Sequence, residues 1–175
     1  MLDDIVVDAI AAGEVIERPA SAVKELVENA LDARAQTVEV RYDDSDELNI
    51  AVLDDGHGVA ADELELAVRR HATSKLGKVA ELTGIRTFGF RGEALASMAS
   101  LATLEVVSRT REATDASGIR LLGGRVIDTF VAGTRLGTRV ALSDVFGDVP
   151  ARKKFLISPG AEFAAVSDTV RRFAL

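Results

Sequence analysis

The sequence predicts an α+β protein, a two-layer sandwich of helices and antiparallel hairpins, on three observations. An apolar stripe at helical spacing follows Pro19; four segments between Thr103 and Leu142 alternate like strands; and Glu162 to Leu175 closes the chain as a helix.

Pro19 opens the first helix, because a first turn leaves its N–H groups unpaired and proline lacks only that donor. Val23, Leu26, Val27, Ala30 and Leu31 then recur on one side at about 100° per residue, opposite Glu25, Glu28, Asn29 and Asp32. The helix therefore has a core face and an acidic, amide-bearing face. Thr37 to Tyr42 and Leu48 to Leu53 read as strands, the second running into Asp54-Asp55-Gly56-His57-Gly58, a glycine-punctuated turn. Asp62 to His71 reads as a helix with Leu64, Ala67, Val68 and His71 on one side. Ala72 to Gly92 is expected to be mostly loop, and loops that long in compact domains are usually lids or disordered. Gly92 to Ala102 opens a further helix with Leu95, Met98, Ala99 and Ala102 on its core side. Thr103 to Ser108, Gly118 to Leu122, Arg125 to Val131 and Gly137 to Leu142 are the alternating strands, with Gly123-Gly124 as a hairpin turn.

The 175 residues, 47% of them apolar, suit one domain with a sizeable core. With no cysteine, disulfides, thiolate metal sites and thiol nucleophiles are excluded, and two histidines are too few for a multi-histidine metal site. The chain opens Met-Leu-Asp-Asp without a basic start, and no apolar run approaches the roughly 18 residues of a membrane span. A cytoplasmic protein with no membrane partner is the expectation. The net charge of −7 is unevenly spread: residues 1–66 hold 18 acidic and 4 basic residues, and residues 67–175 hold 10 and 17. An acidic, cation-handling part and a basic, anion-binding part fit that split; so do solvated helix faces.

Glu25 and Asn29, four apart, project side by side from the polar helix face. A carboxylate there can deprotonate a water and an amide oxygen can ligate a hard cation, although acidic surface helices are common. Asp54 at a strand end, before Gly56 and Gly58, could accept a hydrogen bond from an exocyclic amine while glycine lets a flat ring approach; a plain tight turn uses the same letters. Gly89-Phe-Arg-Gly-Glu93 precedes a helix start, where free N–H groups favour an anion, and Thr73-Ser74-Lys75 would add hydroxyls and a cation. P-loop and dinucleotide-binding glycine motifs are absent. Phe88, Phe90 and Phe146 could stack on bases, but core packing suits them better.

Taken together, Ile10-Ala-Ala-Gly-Glu-Val15, Glu17-Arg-Pro-Ala-Ser21, Lys24-Glu-Leu-Val-Glu-Asn29, Asp54-Asp-Gly-His-Gly58, Arg70-His-Ala-Thr-Ser-Lys75, Gly89-Phe-Arg-Gly-Glu-Ala-Leu95, Gly137-Thr138 and Pro150-Ala-Arg-Lys-Lys-Phe-Leu156 closely resemble the N-terminal ATPase region of the MutL family of DNA mismatch repair proteins. That family lies in the GHKL superfamily, with the ATPase of DNA gyrase and with histidine kinases. The resemblance covers essentially the whole chain. It implies the Bergerat fold, helices on one face of a mixed, mostly antiparallel sheet, and residues 1–175 as a single ATPase domain whose longer relatives continue into a second domain and a C-terminal dimerisation domain.

By the same resemblance the cofactors are ATP and Mg²⁺. Glu25 is the general base and Asn29 the Mg²⁺ ligand; Ala33 lies at the nucleotide, Asp54 reads the adenine amino group, and Gly58 lines the base pocket. Thr73, Ser74 and Lys75, with Gly89, Phe90, Arg91, Gly92, Glu93, Ala94 and Leu95, form the lid and the amide cradle for the phosphates, and Thr138 supports the adenine end. The implied function is slow ATP hydrolysis that works a switch, with weak, non-specific DNA contact, a MutS-type mismatch sensor, ATP-dependent homodimerisation and a cytoplasmic, nucleoid-associated location. A nucleotide-binding module that does not hydrolyse in this form is the alternative. A histidine kinase is a further one, opposed by the water-activating position of Glu25, and a gyrase-like topoisomerase is opposed by Gly89 to Leu95 and Pro150 to Leu156. One departure stands in the turn, where Asp55 replaces the asparagine usual in the family.

Overall fold

The computed structural model describes residues 16–69 and 94–174. Helix α1 (Pro19–Asp32) is followed by strands β1 (Val38–Asp43) and β2 (Asn49–Asp54) and helices α2 (Ala61–Ala67) and α3 (Ala94–Ala99). Strands β3 (Thr103–Arg109), β4 (Ala116–Leu122), β5 (Arg125–Ala132) and β6 (Gly137–Ser143) come next, then α4 (Pro150–Lys153) and α5 (Pro159–Phe173).

The six strands form one sheet in the order β1-β2-β6-β3-β4-β5. Every pairing among them is antiparallel, so over the described residues the mostly antiparallel sheet is wholly so. Register explains the core. Val40, Val52, Val140, Val106 and Ile119 form one transverse row across five strands, and Tyr42, Ile50, Leu142, Leu104 and Leu121 form the next. Because side chains alternate faces with a period of two, both rows point the same way. They join Val23, Leu26 and Val27 of α1, Leu64 of α2 and Met98 of α3 in one apolar cluster. Each such side chain, fully buried, contributes on the order of 1.5–3 kcal/mol. The opposite parity is polar: Glu105 takes Arg120 at 2.6 Å and Arg139 at 2.6 Å across three strands.

The described elements follow the sequence reading closely, with instructive differences. Leu31 is 45% exposed, whereas Val23, Leu26, Val27 and Ala30 are buried, so the apolar stripe of α1 ends one residue early. The last helix starts at Pro159 rather than Glu162, because Ser158 caps it by accepting from the amide of Ala161. Within α5, Glu162 is 3% exposed and holds Arg18 at 3.0 Å, which ties that helix to the start of α1. Phe146 is fully buried and donates its amide to Leu101 O, so it is a core residue. His71, Phe88 and the expected loop lie outside the described residues. Among the described residues no helix is long and apolar enough to cross a membrane.

Candidate functional site

The polar end of the core face is where the candidate residues gather. Two positions beyond Val52, Val140 and Val106, the same parity brings up Asp54 on β2, Thr138 on β6 and Ser108 on β3. Apolar rows thus give way to a polar row at one edge of the helix-covered face.

Asp54 closes its own turn, accepting the Gly56 amide at 2.8 Å. The Thr138 amide also hydrogen-bonds to it. Burial pushes the carboxyl above the ordinary aspartate value, and those two amides oppose the rise without cancelling it. The turn is anchored at both ends. His57 donates its amide to Ala33 O at 3.0 Å, and Ala33 in turn donates to Asn29 O at 3.0 Å. Ala33 caps α1 one turn beyond Asn29, so the Asp54 turn is fastened to the end of the helix that bears Glu25 and Asn29. Gly58, at φ +75°, brings the chain against β3; a Cβ there would sit 2.3 Å from Arg109 O, so only glycine permits the approach.

The replaced residue of the turn has a structural task. Asp55 accepts the amides of Gln36 and Thr37 at 2.7 and 2.8 Å through one oxygen, and these bonds hold its carboxyl below the ordinary value. An asparagine oxygen could accept the same pair.

On α1 the acidic face is not simply solvated. Lys24 Nζ lies 3.0 Å from Glu28 and 3.6 Å from Glu25, and Glu28 is only 5% exposed. The Glu28 hydrogen bond, above all, raises the lysine pKa, keeping it charged. Asn29 is half-buried one position further round. No cluster of three or more acidic or histidine ligands that could hold a metal occurs among the described residues. A lone amide oxygen still suits Mg²⁺, which commonly takes one or two protein ligands and fills its shell with phosphate oxygens and water.

Ser108, which sequence reading passed over, is 1% exposed and binds three groups: Val59 N at 2.8 Å, Thr138 Oγ1 at 2.8 Å and Gly137 O at 3.1 Å. Its signal was available: it sits on the parity of Leu104 and Val106, where an apolar residue is expected. Ala94 and Leu95 begin α3, buried and half-buried. Thr73, Ser74, Lys75, Gly89, Phe90, Arg91, Gly92 and Glu93 lie outside the described residues.

A family model described as histidine kinase-, DNA gyrase B- and HSP90-like ATPase matches residues 16–121. The chain belongs to that ATPase family. The match takes in α1, the Asp54 turn and Ser108, so the site described above lies largely inside it. This ATPase domain is similar to the DNA mismatch repair protein MutL of Azorhizobium caulinodans, 52% identical over 99% of this chain and 28% of the relative. Among solved structures it resembles an Aquifex aeolicus MutL ATPase domain complexed with ADP, with a TM-score of 0.72 and 30% identity over 91% of this chain and 56% of the other. It also resembles the N-terminal domain of a DNA repair protein, with a TM-score of 0.76 and 30% identity over 97% and 49%. The chain therefore spans just over a quarter of the length of the curated MutL relative. The Bergerat fold read from the motifs is borne out by the sheet and by these neighbours.

Proposed function

We propose that this chain is the ATP-binding and slowly ATP-hydrolysing switch domain of a MutL-type DNA mismatch repair protein. The single observation that carries the reading is the fastening of the Asp54 turn to Ala33, which joins a half-buried hydrogen-bond acceptor suited to a base amine to the helix that offers Glu25 and Asn29. The similarity to MutL and to an ADP complex of its ATPase domain supports the nucleotide.

In this reading Asp54 accepts from the adenine amino group, Gly58 and Thr138 line the base pocket, and Ala33 packs beside it. Asn29 would hold Mg²⁺. The ion, when bound, neutralises the phosphate charge. Glu25 takes a proton from the attacking water. Thr73, Ser74 and Lys75, with Gly89 to Leu95, close over the phosphates as a lid, their amides oriented to anionic oxygens. ATP closure then favours homodimerisation, and a MutS-type sensor and weakly bound DNA read the closed state in the cytoplasm or at the nucleoid.

Calorimetric titration of a nonhydrolysable ATP analogue, with and without Mg²⁺, tests the reading. Mg²⁺-dependent binding is expected; absence of binding by both this chain and a longer polypeptide containing it would sink the proposal. Hydrolysis by the longer polypeptide but not by this chain would favour the non-hydrolysing description of the chain alone.

A further inference from the structure

Ser108 has one proton and two lone pairs, and three partners. The Val59 amide can only donate to it, at 2.8 Å, which takes one lone pair. The Gly137 carbonyl can only accept, at 3.1 Å, which takes the proton. One lone pair remains for Thr138 Oγ1 at 2.8 Å, so in that contact the threonine hydroxyl is the donor. With the serine proton on Gly137 O all three contacts are satisfied at once, whereas placing it on Thr138 Oγ1 would forfeit the Gly137 bond, and this is the ground for taking the threonine as donor.

From this hydrogen-bond count we infer that Ser108 is a specificity-determining residue: by holding the Thr138 proton it makes the Thr138 hydroxyl a pure acceptor at the base pocket, selecting a purine with a 6-amino group over one with a 6-oxo group. Thr138 stands on the same sheet row as Asp54, whose carboxylate is likewise an acceptor, and its own amide hydrogen-bonds to Asp54. Two neighbouring acceptors match the amino group of adenine. Against hypoxanthine or guanine, oxygen would meet oxygen, with an unmatched buried acceptor on each side. Loss of the Ser108 hydroxyl frees the Thr138 proton to turn outward and donate to a 6-oxo group. Ser108 itself need not touch the base; it acts as a positioning residue through Thr138.

The inference rests on the proposed seating of the purine against Asp54, and the test separates the two. The affinities of ADP and IDP, which differ at position 6, are compared by calorimetry in the parent and in Ser108→Ala, Thr138→Val, Asp54→Ala and the Ser108→Ala/Thr138→Val double variant. The preference for ADP should fall about tenfold in each of the first two, and the double variant should fall no further than Thr138→Val alone. Should Ser108→Ala fail to fold, Thr138→Val, which keeps side-chain shape and leaves Ser108 in place, decides by itself. A parental ADP preference in folded Thr138→Val overturns the inference, as does a further loss on adding Ser108→Ala to it, which would mean that Ser108 acts through the Val59 turn. If Asp54→Ala also keeps the parental preference, the seating of the purine is wrong; if Asp54→Ala loses it while Thr138→Val does not, only the role of Ser108 and Thr138 falls.

Discussion

Gly137 and Asp54 meet backbone to backbone: a Cβ on Gly137 would lie 2.0 Å from the Asp54 carbonyl oxygen, and Gly137 has φ +112°. Two independent penalties therefore fall on any side chain at 137, a steric one and a conformational one. Strained φ alone costs on the order of 1–3 kcal/mol. Gly137→Ala should lower unfolding stability by upward of about 2 kcal/mol, and, because the displaced strand carries Thr138, weaken ADP binding too. Chemical denaturation and calorimetry together check this; a variant as stable as the parent would show that β6 can move away from Asp54 at no cost.

The raised Asp54 pKa predicts a pH dependence of a definite sign. Burial disfavours its charged form, so the folded chain keeps the proton over a window above the ordinary aspartate value, where the unfolded chain has lost it. Without nucleotide, this residue therefore destabilises the fold as pH rises through that window. A base amine binds the ionised form, so ADP affinity should fall on acidification through the same window, approaching about tenfold per pH unit below it. The difference between parent and Asp54→Asn isolates the effect, since nucleotide titration is common to both. A constant difference across the acidic range would rule out Asp54 as the acceptor.

Glu25 and Asn29 are expected to separate chemistry from binding. Glu25→Ala should keep Mg²⁺-dependent binding of a nonhydrolysable analogue and lose hydrolysis by about 10²–10⁴-fold, the usual worth of a general base. Asn29→Ala should instead lose the Mg²⁺ dependence of binding. Parental turnover in Glu25→Ala, measured in the full-length protein, would remove the base assignment and leave the nucleotide site intact.

Much of the fold was legible in the letters, and the same periodicities that make the elements also place the candidate residues. Asp54 was singled out by its place at a strand end before Gly56 and Gly58, and Glu25 with Asn29 by helical spacing on α1, before any tertiary contact was known. The burial of Glu28 and its bond to Lys24 were not, since a polar helix face reads as solvated until something covers it. Ser108 is marked in the sequence only as a polar residue on the apolar parity of β3; its role comes from Val59, Gly137 and Thr138, which are distant in sequence and so were not readable from it. The start of α5 was missed locally, by overlooking Ser158-Pro159 as a cap and first turn.

Glu162 gives a prediction about stability alone. Its Oε1 accepts from Arg18 Nη2 at 3.0 Å and from the Ile157 amide at 3.1 Å, and its Oε2 takes Arg18 Nε at 3.4 Å. The carboxylate therefore clamps the segment before α5 and the entry to α1 in one place. Replacing it by alanine would leave the Ile157 donor and the half-exposed Arg18 without this partner, and hydrogen bonds to charged groups contribute about 1.5–3 kcal/mol each when buried. Because water can still reach Arg18, the expected loss for Glu162→Ala is about 2–3 kcal/mol rather than the sum. Glu162→Gln, which keeps an acceptor for Ile157, should recover part of it. The clamp lies at the opposite end of α1 from Ala33, so ADP affinity of either folded variant should stay within about twofold of the parent; a larger drop would show that α1 transmits the clamp to the nucleotide site.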